Sequence, residues 1–155
     1  MQALPAAEGL EGAGPYFASD SRPVILYDGV CGMCNSAVNL ALDWDREAAF
    51  RFAALQSAAG RALLRRAGRA PDDVSSIVLV EPGGAYIKSE AVRRIAARLN
   101  LPLALLAGLA QLVPLGVKDA AYDVVADNRY SVFGLRDECR LGDARYEEGR
   151  FLSDP

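Results

Sequence analysis

The chain has 155 residues, 52% of them apolar, a net charge of −3 and three cysteines. That size suits one compact domain able to bury an adequate core without staples. The scattered basic residues exclude an electrostatic footprint for nucleic acid, and three cysteines are too few, and odd in number, for a disulfide framework.

Residues 1–20 are rich in Ala, Gly and Pro and poor in large apolar side chains, so a flexible tail is expected there. The opening "MQALPAAEGLEGAGPYF" has neither the positive start nor the continuous apolar run of a secretory signal. The sparse cysteines suit a reducing compartment, and the expectation is a cytoplasmic protein.

"PVILY" (23–27) is a short apolar run bounded by Pro23 and by Asp28-Gly29, the pattern of a fully buried strand. From Met33 to about Asp45, helical spacing of Cys34, Val38, Ala41 and Leu42 predicts a helix. "FRFAAL" (50–55) alternates Phe50 and Phe52 against Arg51 and reads as a strand with one face toward the core. Ser57 can cap a helix through "AAGRALLRRA", with Gly68 at its left-handed C-terminal turn. "SIVLVE" (76–81) and "AYIK" (85–88) flank Pro82-Gly83-Gly84 as a β-hairpin, and Ser89 then caps "EAVRRIAARL".

The order is β-α-β-α-β-β-α, which requires a mixed four-stranded sheet with helices on its faces, an α/β plan of the thioredoxin-like kind. The uncharged segment Leu99–Val117 approaches the length that spans a bilayer, but Pro102, Pro114, Asn100, Gln111 and two glycines interrupt it. It divides more naturally into a helix ending near Ala110 and another beginning at Pro114 and containing "VKDAAYDVVADNRY". The expected organisation is therefore a single domain over 21–141, with a helical extension from about 100, and a polar tail over 142–155.

The chemistry concentrates in "DGVCGMCN" (28–35). Cys31 and Cys34, three apart in the first turn of a helix, lie on one face, close enough for a disulfide. A helix N-terminus supplies free N–H donors and partial positive charge, which favour a thiolate. Cys31, the earlier of the pair, is accordingly the expected nucleophile and Cys34 the resolving thiol. The chain has no histidine, so activation falls to the helix terminus, to nearby Lys or Arg, or to a proton acceptor such as Asp28. Structural zinc, iron–sulfur and c-type haem readings lack ligands, since only Cys139 and carboxylates remain and Asn35 stands where haem attachment needs His. Inert packing of the cysteines is the plain alternative, as is ordinary turn chemistry for Asp28-Gly29. Trp44, Phe50 and Phe52 read as core, and Arg129 as a helix-end residue that caps carbonyls or pairs with a carboxylate.

Four spaced stretches, "ILYDGVCGMCN", "FRFAALQSAAGRALL", "SIVLVEPGGAYIKSEAVRRI" and "AAYDVVADNRYSVFG", resemble the DCC family of thiol-disulfide oxidoreductases, named for an Asp-Cys-Cys signature. The resemblance runs from about Val24 to Leu141. It implies a thioredoxin-like fold with dithiol chemistry, the signature falling on Asp28, Cys31 and Cys34. By position it also carries over an Asn-Arg-Tyr element at Asn128, Arg129 and Tyr130 and a late cysteine at Cys139. Gly142 stands where relatives often carry Pro. The wider superfamily's cis-proline before the third strand is missing as well: "DVSSIVL" leaves Ser75, Ser76 and Ile77 to contact a substrate backbone.

The expected function is thiol-disulfide exchange with protein or small-molecule thiols and disulfides, without a metal or organic cofactor. A second expectation is a thioredoxin-like binding module that docks on a membrane protein or partner through its apolar helices, Leu101 to Val117.

Overall fold

The computed structural model describes residues 16–99, 105, 108–133 and 150–152. Four strands, β1 (Val24–Tyr27), β2 (Arg51–Ala54), β3 (Val78–Glu81) and β4 (Gly84–Ile87), form one sheet in the order β2-β1-β3-β4. β1 pairs parallel with β2, and β3 runs antiparallel to both β1 and β4. With helices α1 (Gly32–Trp44), α2 (Ala58–Arg66) and α3 (Lys88–Arg98), this is the expected mixed α/β sheet of a thioredoxin-like fold. A single 3₁₀ turn (Ala110–Leu112) leads into α4 (Leu115–Phe133), which packs on α1 and α3. Among the described residues no helix is long and apolar enough to cross a membrane.

The two faces of the sheet bury separate sets of side chains. Val24 and Leu26 of β1 join Val78, Val80, Leu63 and Leu64 on one face, while Ile25 and Tyr27 join Val38, Phe52, Leu79 and Ile95 on the other. The period-two alternation of a strand therefore sends apolar side chains both ways, which is why "VILY" is a continuous apolar run.

Local signals place most of the boundaries. Ser57 Oγ accepts from the Gly60 N–H at the start of α2. Gly68, at φ 74°, lets the Arg69 N–H reach back to the Leu64 carbonyl, closing that helix as a Schellman-type turn. Ser89, however, does not cap α3. The helix begins directly at Lys88, itself in the left-handed region at φ 53°, and no side chain caps it. Ser89 Oγ instead donates to Asp119 of α4, and the Lys88 ammonium pairs with Asp123 at 3.0 Å. Competition from a tertiary partner takes the hydroxyl away from the cap.

Both ends of the chain contribute more than the expected tails. Arg51 is buried rather than facing solvent, its guanidinium donating to the carbonyls of Tyr16 (2.6 Å), Asp20 (2.8 Å) and Arg22 (2.8 Å). Phe17 is buried in the core, with the Arg51 and Arg66 guanidinium groups each 5.1 Å from its ring centre. At the other end Phe151 forms a parallel bridge with Phe52, through Phe52 N–H to Arg150 O (2.6 Å) and Leu152 N–H to Phe52 O (2.9 Å). Buried Arg150 donates to Asp45 Oδ2 at 2.6 Å and to the Phe50 carbonyl at 2.7 Å. Burial lowers the Arg150 pKa from its ordinary value, with the Asp45 charge opposing the shift. Neither contact is visible in composition, because one aromatic or one arginine in a polar stretch suffices to make it.

Replacing Arg150 by Ala removes one partner of the buried ion pair while Asp45 keeps the Ala49 and Phe50 N–H donors. The expected loss is about 3 kcal/mol, read as a lower urea midpoint. Gly60 is a sharper test of packing: a Cβ there would lie 2.0 Å from the Ala54 carbonyl oxygen, so helix α2 can approach the end of β2 only with glycine. Gly60→Ala is expected to destabilise by roughly 1–3 kcal/mol, whereas Gly83→Ala, with nothing within 4 Å, should change the midpoint little.

Candidate functional site

The site forms where β1 ends and α1 begins. After Tyr27 the chain turns through Asp28–Val30, and Cys31 becomes the N-cap of α1, its Sγ accepting from the Cys34 N–H at 3.3 Å. Asn35, one turn into the helix, donates from its amide to the carbonyls of Gly29 (3.0 Å) and Cys31 (3.1 Å) and holds the loop against the helix. Both described cysteines are free thiols. Their surroundings differ: Cys31 is 0% exposed, whereas Cys34 is partly exposed and lines a cavity of about 260 Å³.

Asp28, 3% exposed, is the polar centre of the site. Its Oδ1 accepts from Gln56 Nε2 at 2.7 Å and from the Val30 N–H at 3.2 Å. Its Oδ2 accepts from Arg129 Nη2 at 3.3 Å and from the Tyr130 hydroxyl. A carboxylate offers about four lone-pair positions. Here four donors engage them, so Asp28 is built as an anchor rather than as an unoccupied proton acceptor. Gln56 binds twice, since its Oε1 also accepts from the Gly29 N–H at 3.0 Å.

Arg129 spans three segments. Besides Asp28 it donates to the Val74 carbonyl at 2.8 Å, ahead of β3, and to Ala126 O at 2.9 Å in its own helix. Burial opposes its charge, but hydrogen bonds to Tyr130 and Asp28 outweigh that, and its pKa is raised. Burial, together with the hydrogen bond to Asp28, raises the Tyr130 pKa as well. Cys34 is pushed up to about 12, first by burial, then by its hydrogen bond with Cys31 and the nearby charges of Cys31 and Asp28. At neutral pH Cys34 is thus a protonated thiol.

Of the residues named from sequence, the structure assembles Asp28, Cys31, Cys34, Arg129 and Tyr130 in one place. Asn128 lies outside it, exposed, with its amide bonded to the Val124 carbonyl of its own helix. Cys139 falls outside the described residues. Ser75 is exposed and hydrogen-bonded to Asp73. Ser76 and Ile77 do line the cavity beside Cys34, and the Ile77 N–H donates to the Tyr122 hydroxyl at 2.9 Å. Burial raises the Tyr122 pKa, which keeps that hydroxyl protonated. Gln56, Asn35 and Tyr122 were not singled out from sequence. An amide two residues beyond a strand and another inside a helix carry no signal until the fold brings them to the loop. Among the described residues no group of three or more Cys, His, Asp or Glu is placed to hold a metal ion.

The model of the DCC1-like thiol-disulfide oxidoreductase family matches residues 25–135. A chloroplastic DCC family protein of Arabidopsis thaliana is 52% identical over 126 residues, covering 81% of this chain and 73% of that one. The uncharacterised protein YuxK of Bacillus subtilis is 39% identical over 118 residues, covering 76% of this chain and 85% of its own. No solved structure matches. The matched span holds the Asp28, Cys31, Cys34, Arg129 and Tyr130 cluster, and this chain belongs to the DCC1-like thiol-disulfide oxidoreductase family.

Proposed function

We propose that the protein catalyses thiol-disulfide exchange through a Cys31–Cys34 couple, acting on protein or small-molecule thiols and disulfides. The observation that carries this reading is the N-cap geometry, in which the Cys34 N–H points at Cys31 Sγ in the first turn of α1. Donation from a helix N-terminus stabilises negative charge on that sulfur. Oxidation of the pair joins the two sulfurs and releases two electrons and two protons; reduction reverses this. Cys31 is the sulfur that the Cys34 N–H and the start of α1 face, and Cys34, protonated in the reduced protein, is its bonding partner. Asp28 is a positioning residue that ties the cysteine loop to Gln56 and to α4 through Arg129 and Tyr130. No cofactor enters the scheme, and the reading keeps the cytoplasmic, reducing setting anticipated for so few cysteines.

A docking role has a specific observation in its favour. Leu109, Leu112, Val117, Val124 and Val132 are each more than half exposed along the helical extension, with Leu112 at 83%. Apolar side chains left uncovered in such number suit a partner surface. The two readings separate on the redox behaviour of the cysteines.

Equilibration of the protein in graded thiol buffers, followed by trapping and mass analysis of free thiols, is expected to give a reversible two-electron transition between about −300 and −120 mV. Cys31→Ser and Cys34→Ser should each abolish it. Full exchange activity in the Cys31→Ser protein would sink the mechanism, and absence of the intramolecular disulfide across the range would leave docking as the better reading. The raised pKa of Cys34, about 12, makes a separate prediction: its alkylation rate should climb about tenfold per pH unit through the neutral and mildly alkaline range. A plateau near neutral pH would contradict the buried, protonated thiol.

A further inference from the structure

The 260 Å³ cavity beside Cys34 is lined on nearly every side by hydrocarbon. It runs between α1 and α3 over the sheet, with Val38 and Ala41 on one wall, Val92 and Ala96 on the other, and Ile25 and Phe52 from the strands. From Cys34 to Ala41 it follows α1 for about 10 Å. Charge enters the lining only through Asp28 and Arg129, which neutralise one another.

Two polar atoms of the lining residues, Ser76 Oγ and Arg129 Nε, are buried without a hydrogen-bond partner among the described residues. Ser76 is 5% exposed and Arg129 7%. Buried donors left unpaired carry a cost that a ligand's acceptor can relieve. A hydroxyl and a guanidinium N–H suit an anionic sulfur.

From this arrangement, and resting on the exchange activity proposed above, we infer that the substrate is a low-molecular-weight thiol carried on an uncharged apolar chain. The chain lies in the cavity between α1 and α3, and its sulfur meets Cys34 rather than Cys31. Exposure decides between the two sulfurs, because Cys31 is sealed and Cys34 faces the cavity. In the oxidised protein the substrate thiol loses its proton and bonds to Cys34 Sγ. The Cys31–Cys34 bond breaks, and its electron pair leaves on Cys31, which the Cys34 N–H and the start of α1 stabilise before it is protonated. A second thiol then attacks the mixed disulfide and expels Cys34, which takes up the other proton. Two thiols become one disulfide, and the protein gains two electrons; a different disulfide restores the oxidised couple by the reverse exchange. A leaving sulfur with stabilised charge departs faster than an unstabilised one, so the polarity of attack agrees with the cap geometry.

The test uses the full chain, oxidised at Cys31–Cys34, and follows its reduction by ethanethiol, butanethiol and hexanethiol, with glutathione as a charged peptide thiol. The expected rate rises with chain length by up to about fourfold per added methylene, as for burial of a CH₂ group. Glutathione should fall below butanethiol, and Ala96→Phe, which fills the cavity from α3, should flatten the series. Acid quenching and peptide mapping should place the mixed disulfide on Cys34. Equal rates along the series, or the adduct on Cys31, would overturn this inference while leaving the exchange activity standing. Failure of every thiol, ethanethiol included, to open the bond would overturn both.

Discussion

Asp28 sits 3% exposed at the end of the central strand β1, and a carboxylate taken out of water costs several kcal/mol unless charge and hydrogen bonds replace its hydration. Its four donors come from separate places: its own loop, the residue that ends the turn after β2, and two consecutive residues of α4, more than a hundred positions later. Satisfying this one group therefore forces α4 down onto the site. Arg129, buried in turn, brings the Val74 carbonyl with it and so fixes the segment that precedes β3. The helical extension is not an appendage to a finished domain; it supplies the charge that allows the cysteine loop to be buried. Lys88–Asp123 and Ser89–Asp119 secure the earlier half of the same helix against α3.

The edge of the sheet at β2 is managed by a comparable device. Two buried arginines, one within the strand and one at the far end of the chain, spend their donors on backbone carbonyls that regular pairing leaves unused. Arg51 gathers Tyr16, Asp20 and Arg22, and Arg150 takes Phe50. The outcome is that segments from both ends of the chain cover a strand whose unpaired side would otherwise be open to another chain. Among the described residues Arg51 has no carboxylate at close hydrogen-bond range, the nearest being Asp20 at 3.7 Å, and burial lowers its pKa. Arg150 keeps the better-paired position against Asp45.

The two cysteines show how differently one helical turn can treat two identical side chains. Cys31 is enclosed but receives an N–H at the positive end of α1. Among the described residues Cys34 receives no such backbone donor; it lies next to Asp28 and faces hydrocarbon. The asymmetry of hydrogen bonding follows from position along the helix, which spacing alone conveys. The asymmetry of access is a matter of packing: Cys31 is enclosed, while residues of α3 and α4 line a recess at Cys34.

The four-stranded mixed sheet, its hairpin and most helix limits were legible because they rest on local or periodic causes: apolar runs for β1 and β3, Ser57 and Gly68 at the ends of α2, Pro82-Gly83 at the turn. Cys31 and Cys34 were legible as a pair for the same reason, their separation matching one turn of helix. Ser89 misled, since a hydroxyl able to cap a helix is equally able to bond Asp119, and only the position of α4 settles that competition. Arg51, Phe17, Arg150, Gln56 and Asn35 gave no sign of burial or of a role, because each owes its place to partners between 4 and 105 residues away. By itself, then, the amino-acid sequence determined the elements, their order and the placing of Cys31 and Cys34 one helical turn apart, all of which are matters of near neighbours and period. Only the tertiary structure decided which sulfur is accessible, what neutralises Asp28 and what shape of ligand the cavity admits, since these depend on groups that meet solely after the chain has closed on itself.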